Sequence, residues 1–89
     1  MRIFMSSLLV KQLETVKKKD TKLHKRIQKQ LNLFKLNTTH PSLRIHKLSG
    51  PLKQMWTLSV TTSLRIAYIQ KGEDIFLLKI GTHDEVYRK

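Results

Sequence analysis

Two hydrophobic periods divide the chain, and the change between them falls near residue 40. Up to Leu36 the apolar residues recur at helical spacing. Leu9, Leu13 and Val16 form a short stripe, and Leu23, Ile27, Leu31 and Phe34 form a longer one. Ser6 or Ser7 is placed to cap the first helix and Asp20 or Thr21 the second, because their oxygens accept the unpaired N–H groups of a first turn. The break at Lys17 to Thr21 predicts an antiparallel helical hairpin, and Arg2 to Met5 ahead of it reads as a short strand. After Asn37-Thr38-Thr39-His40-Pro41 the period becomes two. Leu43 and Ile45 alternate with Arg44 and His46; Trp56, Leu58 and Val60 alternate with Thr57 and Ser59; Leu64, Ile66 and Tyr68 alternate with Arg65 and Ala67. Asp74 to Ile80 is a more continuous apolar run, as expected of a strand covered on both faces. Ser49-Gly50-Pro51, Thr61-Thr62-Ser63 and Lys71-Gly72-Glu73 carry turn chemistry.

The pattern predicts one α+β domain over residues 1–89. An N-terminal helical hairpin packs on a four-stranded, mainly antiparallel sheet, with the short strand ahead of it. Alternation then sorts the sheet faces. Leu43, Ile45, Trp56, Leu58, Val60, Leu64 and Ile66 meet the helices, and Arg44, His46, Thr57, Ser59 and Arg65 take the opposite face, provided no strand slips by one residue.

Charge makes that second face interesting. The 89 residues carry 18 Lys and Arg against 6 Asp and Glu, a net charge of +12. This balance predicts a polyanionic partner, either a nucleic acid or an acidic protein. The absence of cysteine removes disulfides, thiolate metal sites and cysteine nucleophiles. No apolar stretch approaches the ~18–20 residues of a membrane span. The opening MRIFMSSLLV is broken by Ser6 and Ser7 and halted at Lys11, so it reads as part of the fold and the protein as cytoplasmic.

Most enzyme templates fail on this sequence. It has no Gly-rich phosphate loop and no paired carboxylates in one strand, and its four histidines lack the tight spacing of a metal-binding helix. With so few acidic residues to hold magnesium, nuclease chemistry here is expected to run without a metal or other cofactor. RNA permits that, because the ribose 2′-OH is an internal nucleophile. The protein then supplies a base, an acid for the leaving 5′-oxygen and cations for the phosphorane. Histidine suits either proton transfer, and the planar fork of arginine suits the phosphorane. His46, Arg65 and His83 are the candidates, with Lys47, Lys53 and Tyr87 as helpers. The cluster Lys17, Lys18, Lys19, Lys22, Lys25 and Arg26 reads as a solvated face that also contacts RNA phosphates, and Arg44, Lys47 and Lys53 extend the candidate RNA-binding set.

His46-Lys47-Leu48-Ser49-Gly50, Trp56, Leu64-Arg65-Ile66-Ala67-Tyr68 and Ile80-Gly81-Thr82-His83-Asp84-Glu85-Val86-Tyr87 together resemble the RelE/ParE superfamily of bacterial toxins, nearest to the RelE-, YoeB- and YafQ-like mRNA interferases. The resemblance covers nearly the whole chain. It implies the toxin of a type II toxin–antitoxin pair, which binds a cognate antitoxin and cuts mRNA in the ribosome to leave a 2′,3′-cyclic phosphate. By position it implies Arg65 on the scissile phosphate, His83 as a C-terminal catalytic histidine, His46 as a catalytic histidine and Tyr87 as an aromatic that stacks on a base. The departures fall at Ser59 and Ser63, where a YafQ-like histidine and aspartate would stand, and at Ser42, where a YoeB-like glutamate would. Trp56 and Leu58 replace two RelE-like lysines.

Plainer readings stand beside these. His46 has a structural reading as a hydrogen-bond partner of Thr57, and Tyr87 one as a lid on the core. Trp56 is core, while His24 and His40 are solvated helix and loop residues. Rival functions are a ParE-like inhibitor of DNA gyrase, which needs none of the His and Arg set, and an inactive relative that only binds antitoxin.

Overall fold

Ser6 and Asp20 start the two long helices. The Ser6 hydroxyl accepts the Leu9 N–H at 3.0 Å at the head of α1 (Ser7–Lys19), and the Asp20 carboxylate accepts the Leu23 N–H at 3.0 Å at the head of α2 (Thr21–Leu36). Asp20 also closes α1, its N–H donating to the Val16 carbonyl at 2.8 Å, so one residue reverses the chain. The computed structural model of the protein describes residues 1–48 and 55–87, Tyr87 by its backbone alone. The turn expected at Ser49-Gly50-Pro51 and the side chains of Lys53 and Tyr87 lie outside the described residues.

The strands β1 (Arg2–Met5), β2 (His46–Lys47), β3 (Met55–Ser59), β4 (Leu64–Lys71) and β5 (Asp74–Thr82) form one sheet in the order β1-β5-β4-β3-β2. β1 runs parallel to β5, and every other neighbour is antiparallel. The short N-terminal strand is therefore real and forms one edge, tied to β5 by the Arg2–Asp74 ion pair at 2.9 Å. Gly72, at φ +60°, makes the tight reversal between β4 and β5 that a bulkier residue would strain.

The helices lie on one sheet face. Leu9, Ile27, Leu31 and Phe34 meet Leu43, Leu58, Val60, Ile66, Tyr68, Ile75 and Leu77 in the main core, with Ile45, Trp56 and Leu64 at its margin. Tyr68 tilts against Phe34 with ring centroids 5.1 Å apart, and burial pushes its hydroxyl up to about 12, so it stays protonated.

Two expectations are corrected. Leu43 does not start an alternating strand: Pro41–Leu43 is a turn of 3-10 helix, and β2 is only His46–Lys47. Pro41 is the cause, since its fixed φ suits the first position of a helical turn. His40 caps that turn, its Nδ1 accepting the Ser42 N–H at 3.1 Å, which gives it a structural task the sequence did not suggest. The second correction concerns the chain after β5, which turns at once into a short helix, α3 (His83–Tyr87). Thr82 and Glu85 form a reciprocal capping box: Glu85 Oε1 accepts the Thr82 N–H at 2.8 Å, and Thr82 Oγ1 faces the Glu85 N–H at 3.4 Å.

α3 packs back on β4 and β5, opposite the hairpin. Val86, Leu48 and Ala67 are buried outside the main core, so the second face is partly covered rather than wholly solvated. Gly81 makes this approach possible, because a Cβ there would lie 2.9 Å from the Glu85 Cβ.

β5 also changes phase. Ala67 faces Lys79, yet Tyr68 faces Leu77, so Leu78 is an extra residue in the ladder. Ile75 and Leu77 point into the core before this bulge and Ile80 after it, which leaves Lys79 and Gly81 on the second face. Beyond the end of β1 the free edge of β5 is satisfied from α1. Gln12 Nε2 donates to the Ile80 carbonyl at 3.0 Å, its Oε1 accepts the Ile80 N–H at 2.9 Å, and the Ser6 hydroxyl donates to the Leu78 carbonyl.

Candidate nucleic-acid interface

Residues directly opposite in a ladder share a sheet face, so the register fixes what stands together on the second one. His46, Thr57, Ala67 and Lys79 form one row, and Ser59, Arg65 and Gly81 form the next. Arg65 joins the rows, its Nη1 donating to Thr57 Oγ1 at 3.3 Å. Thr57 is fully buried, Arg65 is half-buried and His46 is exposed. The hydroxyl beneath Arg65 is thus a fixed support, and the guanidinium keeps its remaining N–H groups for a ligand.

His83 follows Gly81 by two residues and is the first residue of α3, with its side chain 64% exposed and its Nδ1 3.6 Å from Asp84 Oδ1. Arg65 on β4 therefore lies between His46 on β2 and His83 at the end of β5. The backbones of His46 and Arg65 are two strand spacings apart, about 10 Å across the sheet. That span is the reach of a nucleotide rather than of a direct contact.

A cleft of about 240 Å³ opens beside Arg65, lined by Arg26, Ser42, Arg44, Ser59, Thr61, Thr62 and Arg65. Its walls come from α2, the 3-10 turn and the β3–β4 connection. Gln30 draws these parts together, its buried amide donating to the Ser59 carbonyl at 2.8 Å. Arg26 Nε donates to the Val60 carbonyl at 2.9 Å, which orients that guanidinium at the rim. Ser42 and Ser59, two of the positions at which the sequence departs from its toxin resemblance, both line this cleft.

The predicted residues separate into groups. His46, Arg65 and His83 belong to the second face and its border, as alternation and the position after β5 suggested. Arg44 reaches the cleft by another route than alternation: it stands after the 3-10 turn in a left-handed conformation at φ 45°. Arg26 joins the cleft from α2. Lys22, one turn earlier on the same face of α2, prolongs its line, and Lys18 and Lys25 are exposed near the end of the hairpin. Lys47 goes elsewhere. It pairs with Trp56 on β3 and sets its ammonium 5.5 Å from the centre of that ring, on the helix side of the sheet. Sequence reasoning missed the supporting roles of Thr57 and Gln30. A threonine and a glutamine inside otherwise ordinary patterns give no signal of what they hold. Among the described residues no three His, Asp or Glu side chains gather as a metal site, and no helix is long and apolar enough to cross a membrane.

No family model and no curated protein matches the sequence. Solved structures do match. A YoeB/ParE toxin from Agrobacterium tumefaciens superposes with a TM-score of 0.77 at 15% identity, over 93% of this chain and 99% of that one. YafQ from Escherichia coli gives a TM-score of 0.76 at 18% identity, over 99% of this chain and 100% of that one. The YoeB–YefM complex from Staphylococcus aureus gives 0.75 at 17% identity, over 93% of this chain and 97% of that one. At such identities the likeness is one of architecture, and it spans nearly the whole chain. The protein has the fold of the RelE/ParE-type toxins, YoeB and YafQ among them.

Proposed function

We propose that this protein is the toxin of a toxin–antitoxin pair and acts as an endoribonuclease on mRNA, on the ribosome and without a metal. The observation that carries the reading is the position of Arg65. It is a supported guanidinium on a basic sheet face, between two histidines, beside a cleft whose lining contains no acidic residue.

The chemistry follows from that order. A base removes the proton from a ribose 2′-OH, whose oxygen attacks the adjoining phosphorus. An acid protonates the 5′-oxygen as the P–O5′ bond breaks, leaving a 2′,3′-cyclic phosphate and a 5′-hydroxyl. Attack and departure occur on opposite sides of phosphorus, so base and acid belong on opposite sides of the cation that holds it. We assign His46 as the base, Arg65 as the stabiliser of the phosphorane and His83 as the acid. Tyr87, close behind His83 in the chain, is assigned to stack on a base. Solved complexes of YoeB with YefM and of YafQ with DinJ support an antitoxin as the protein partner.

Induced expression tests the reading. Wild type should arrest growth and cut translated messages, and folded Arg65→Ala should do neither. If Arg65→Ala and His83→Ala proteins arrest growth as wild type does, the nuclease reading is wrong and a gyrase-binding toxin takes its place.

A further inference from the structure

The cleft beside Arg65 has more cationic equipment than one phosphate uses. Arg26, Arg44 and Arg65 all line it, together with the hydroxyl-bearing Ser42, Ser59, Thr61 and Thr62. Neither the Arg2–Asp74 nor the His83–Asp84 ion pair touches the cleft, and no acidic residue lines it. Three guanidiniums around one small opening repel one another, and an anion placed among them relieves that repulsion.

Arg44 adds an independent sign. Its φ of 45° is a conformation that a residue with a long side chain adopts only at a cost. The Arg44 N–H donates to the Pro41 carbonyl at 3.1 Å, so the 3-10 turn holds the residue there. This strained backbone is what brings the side chain to the cleft. Glycine would suit the bend better, yet the position holds a cation. Arg26 is held by its Nε, which leaves its two terminal nitrogens to meet a ligand.

We propose that Arg26 and Arg44 form a second phosphodiester subsite, holding the backbone phosphate next to the one on Arg65. The assignment of that neighbouring phosphate to the cut bond rests on the nuclease reading; the subsite itself does not. Two adjacent phosphates gripped in register would orient the strand across His46 and His83, so the sugar between them cannot swing away.

The test uses the whole protein and a trideoxynucleotide, which has two phosphates and no 2′-OH to attack. Each phosphate is replaced in turn by an uncharged methylphosphonate, and binding is followed by fluorescence anisotropy across a salt series. Wild type should lose about tenfold in affinity for either replacement, as for loss of one charge-assisted pair. Arg44→Gln should bind about tenfold more weakly and lose most of its sensitivity to one of the replacements, and the Arg26→Gln, Arg44→Gln double variant should become indifferent to it. Arg65→Gln should become indifferent to the other. Each variant should flatten the slope of log K against log salt by about 0.7, the contribution of one single-strand phosphate. Arg44→Gly relaxes the backbone, so it should melt no lower than wild type while losing the same phosphate, which separates binding from folding. The proposal fails if Arg44→Gln keeps full sensitivity to both phosphates with an unchanged salt slope. It fails equally if the variants bind the oligonucleotide normally but loosen the antitoxin complex, since the cleft would then read carboxylates. Intact phosphate discrimination in a protein that never cuts RNA would uphold the subsite and sink the nuclease reading alone.

Discussion

Arg65 owes its place to Thr57, a fully buried hydroxyl on the adjacent strand that accepts from Nη1 at 3.3 Å. A guanidinium aimed in advance at a developing phosphorane needs no reorganisation when the charge forms, and losing such a group typically costs on the order of 10²–10³ in rate. Arg65→Ala should therefore abolish most cleavage while antitoxin binding persists, as single-turnover assays and pull-downs would show. Arg65→Lys should restore only part of the rate, because a point charge cannot reproduce the fork. Thr57→Val keeps the volume and removes the support, so the rate should fall about 10- to 100-fold with little loss of RNA affinity. His46→Ala and His83→Ala should each lose ~10²–10⁴ in rate and remove different limbs of the pH–rate profile. Their double variant should lose less than the product of the two, since the proposed mechanism has both acting on one transition state.

At the scale of elements, the site depends on how β5 ends. Gln12 closes the free edge of that strand with two hydrogen bonds to Ile80, at 2.9 and 3.0 Å. Gln12→Leu would leave both backbone groups unsatisfied, and urea unfolding should show a loss of about 1–3 kcal/mol. Gly81→Ala would press a methyl group against the Glu85 Cβ, 2.9 Å away, so α3 must shift and carry His83 with it. That variant should lose activity beyond its loss of stability. β1 adds a pH-dependent tie. The hydrogen bond from Arg2 holds the Asp74 carboxyl below its ordinary value. A depressed carboxyl contributes stability that is present above its unfolded pKa and lost as pH falls through the folded one. Amide protection factors in β1, corrected for the intrinsic exchange rate, should therefore fall in acid, and Asp74→Asn should show the lower protection already at neutral pH. These elements also mark what the sequence could tell. The hairpin, its caps, β3 and β4 were legible because their apolar residues have a clear period. The bulge at Leu78 was not, because Ile75-Phe76-Leu77-Leu78 is apolar throughout and such a run carries no phase. α3 had a readable signal in Thr82-His83-Asp84-Glu85, a capping-box pattern that the strand reading obscured. The alternation expected around Arg44 is absent, since a left-handed residue and not a strand position brings it to the cleft.

For the whole molecule the governing quantity is a net charge of +12 on 89 residues. It suits a protein that meets RNA phosphates in one state and an acidic inhibitor in another, both electrostatically and both weakened by salt. The co-expressed pair should therefore appear as a complex in native mass spectrometry and dissociate more readily as ionic strength rises. Free, soluble and harmless protein would count against an antitoxin altogether. The central claim is narrower than the pairing: the second sheet face cuts RNA by attack of its own 2′-OH. It is tested most directly by the ends of a message cut by the purified protein on translating ribosomes, with folded Arg65→Ala as the control. The account predicts a 2′,3′-cyclic phosphate on the upstream fragment, a 5′-hydroxyl on the downstream one and neither with the variant. A 3′-hydroxyl facing a 5′-phosphate, or equal cleavage by Arg65→Ala, would contradict it.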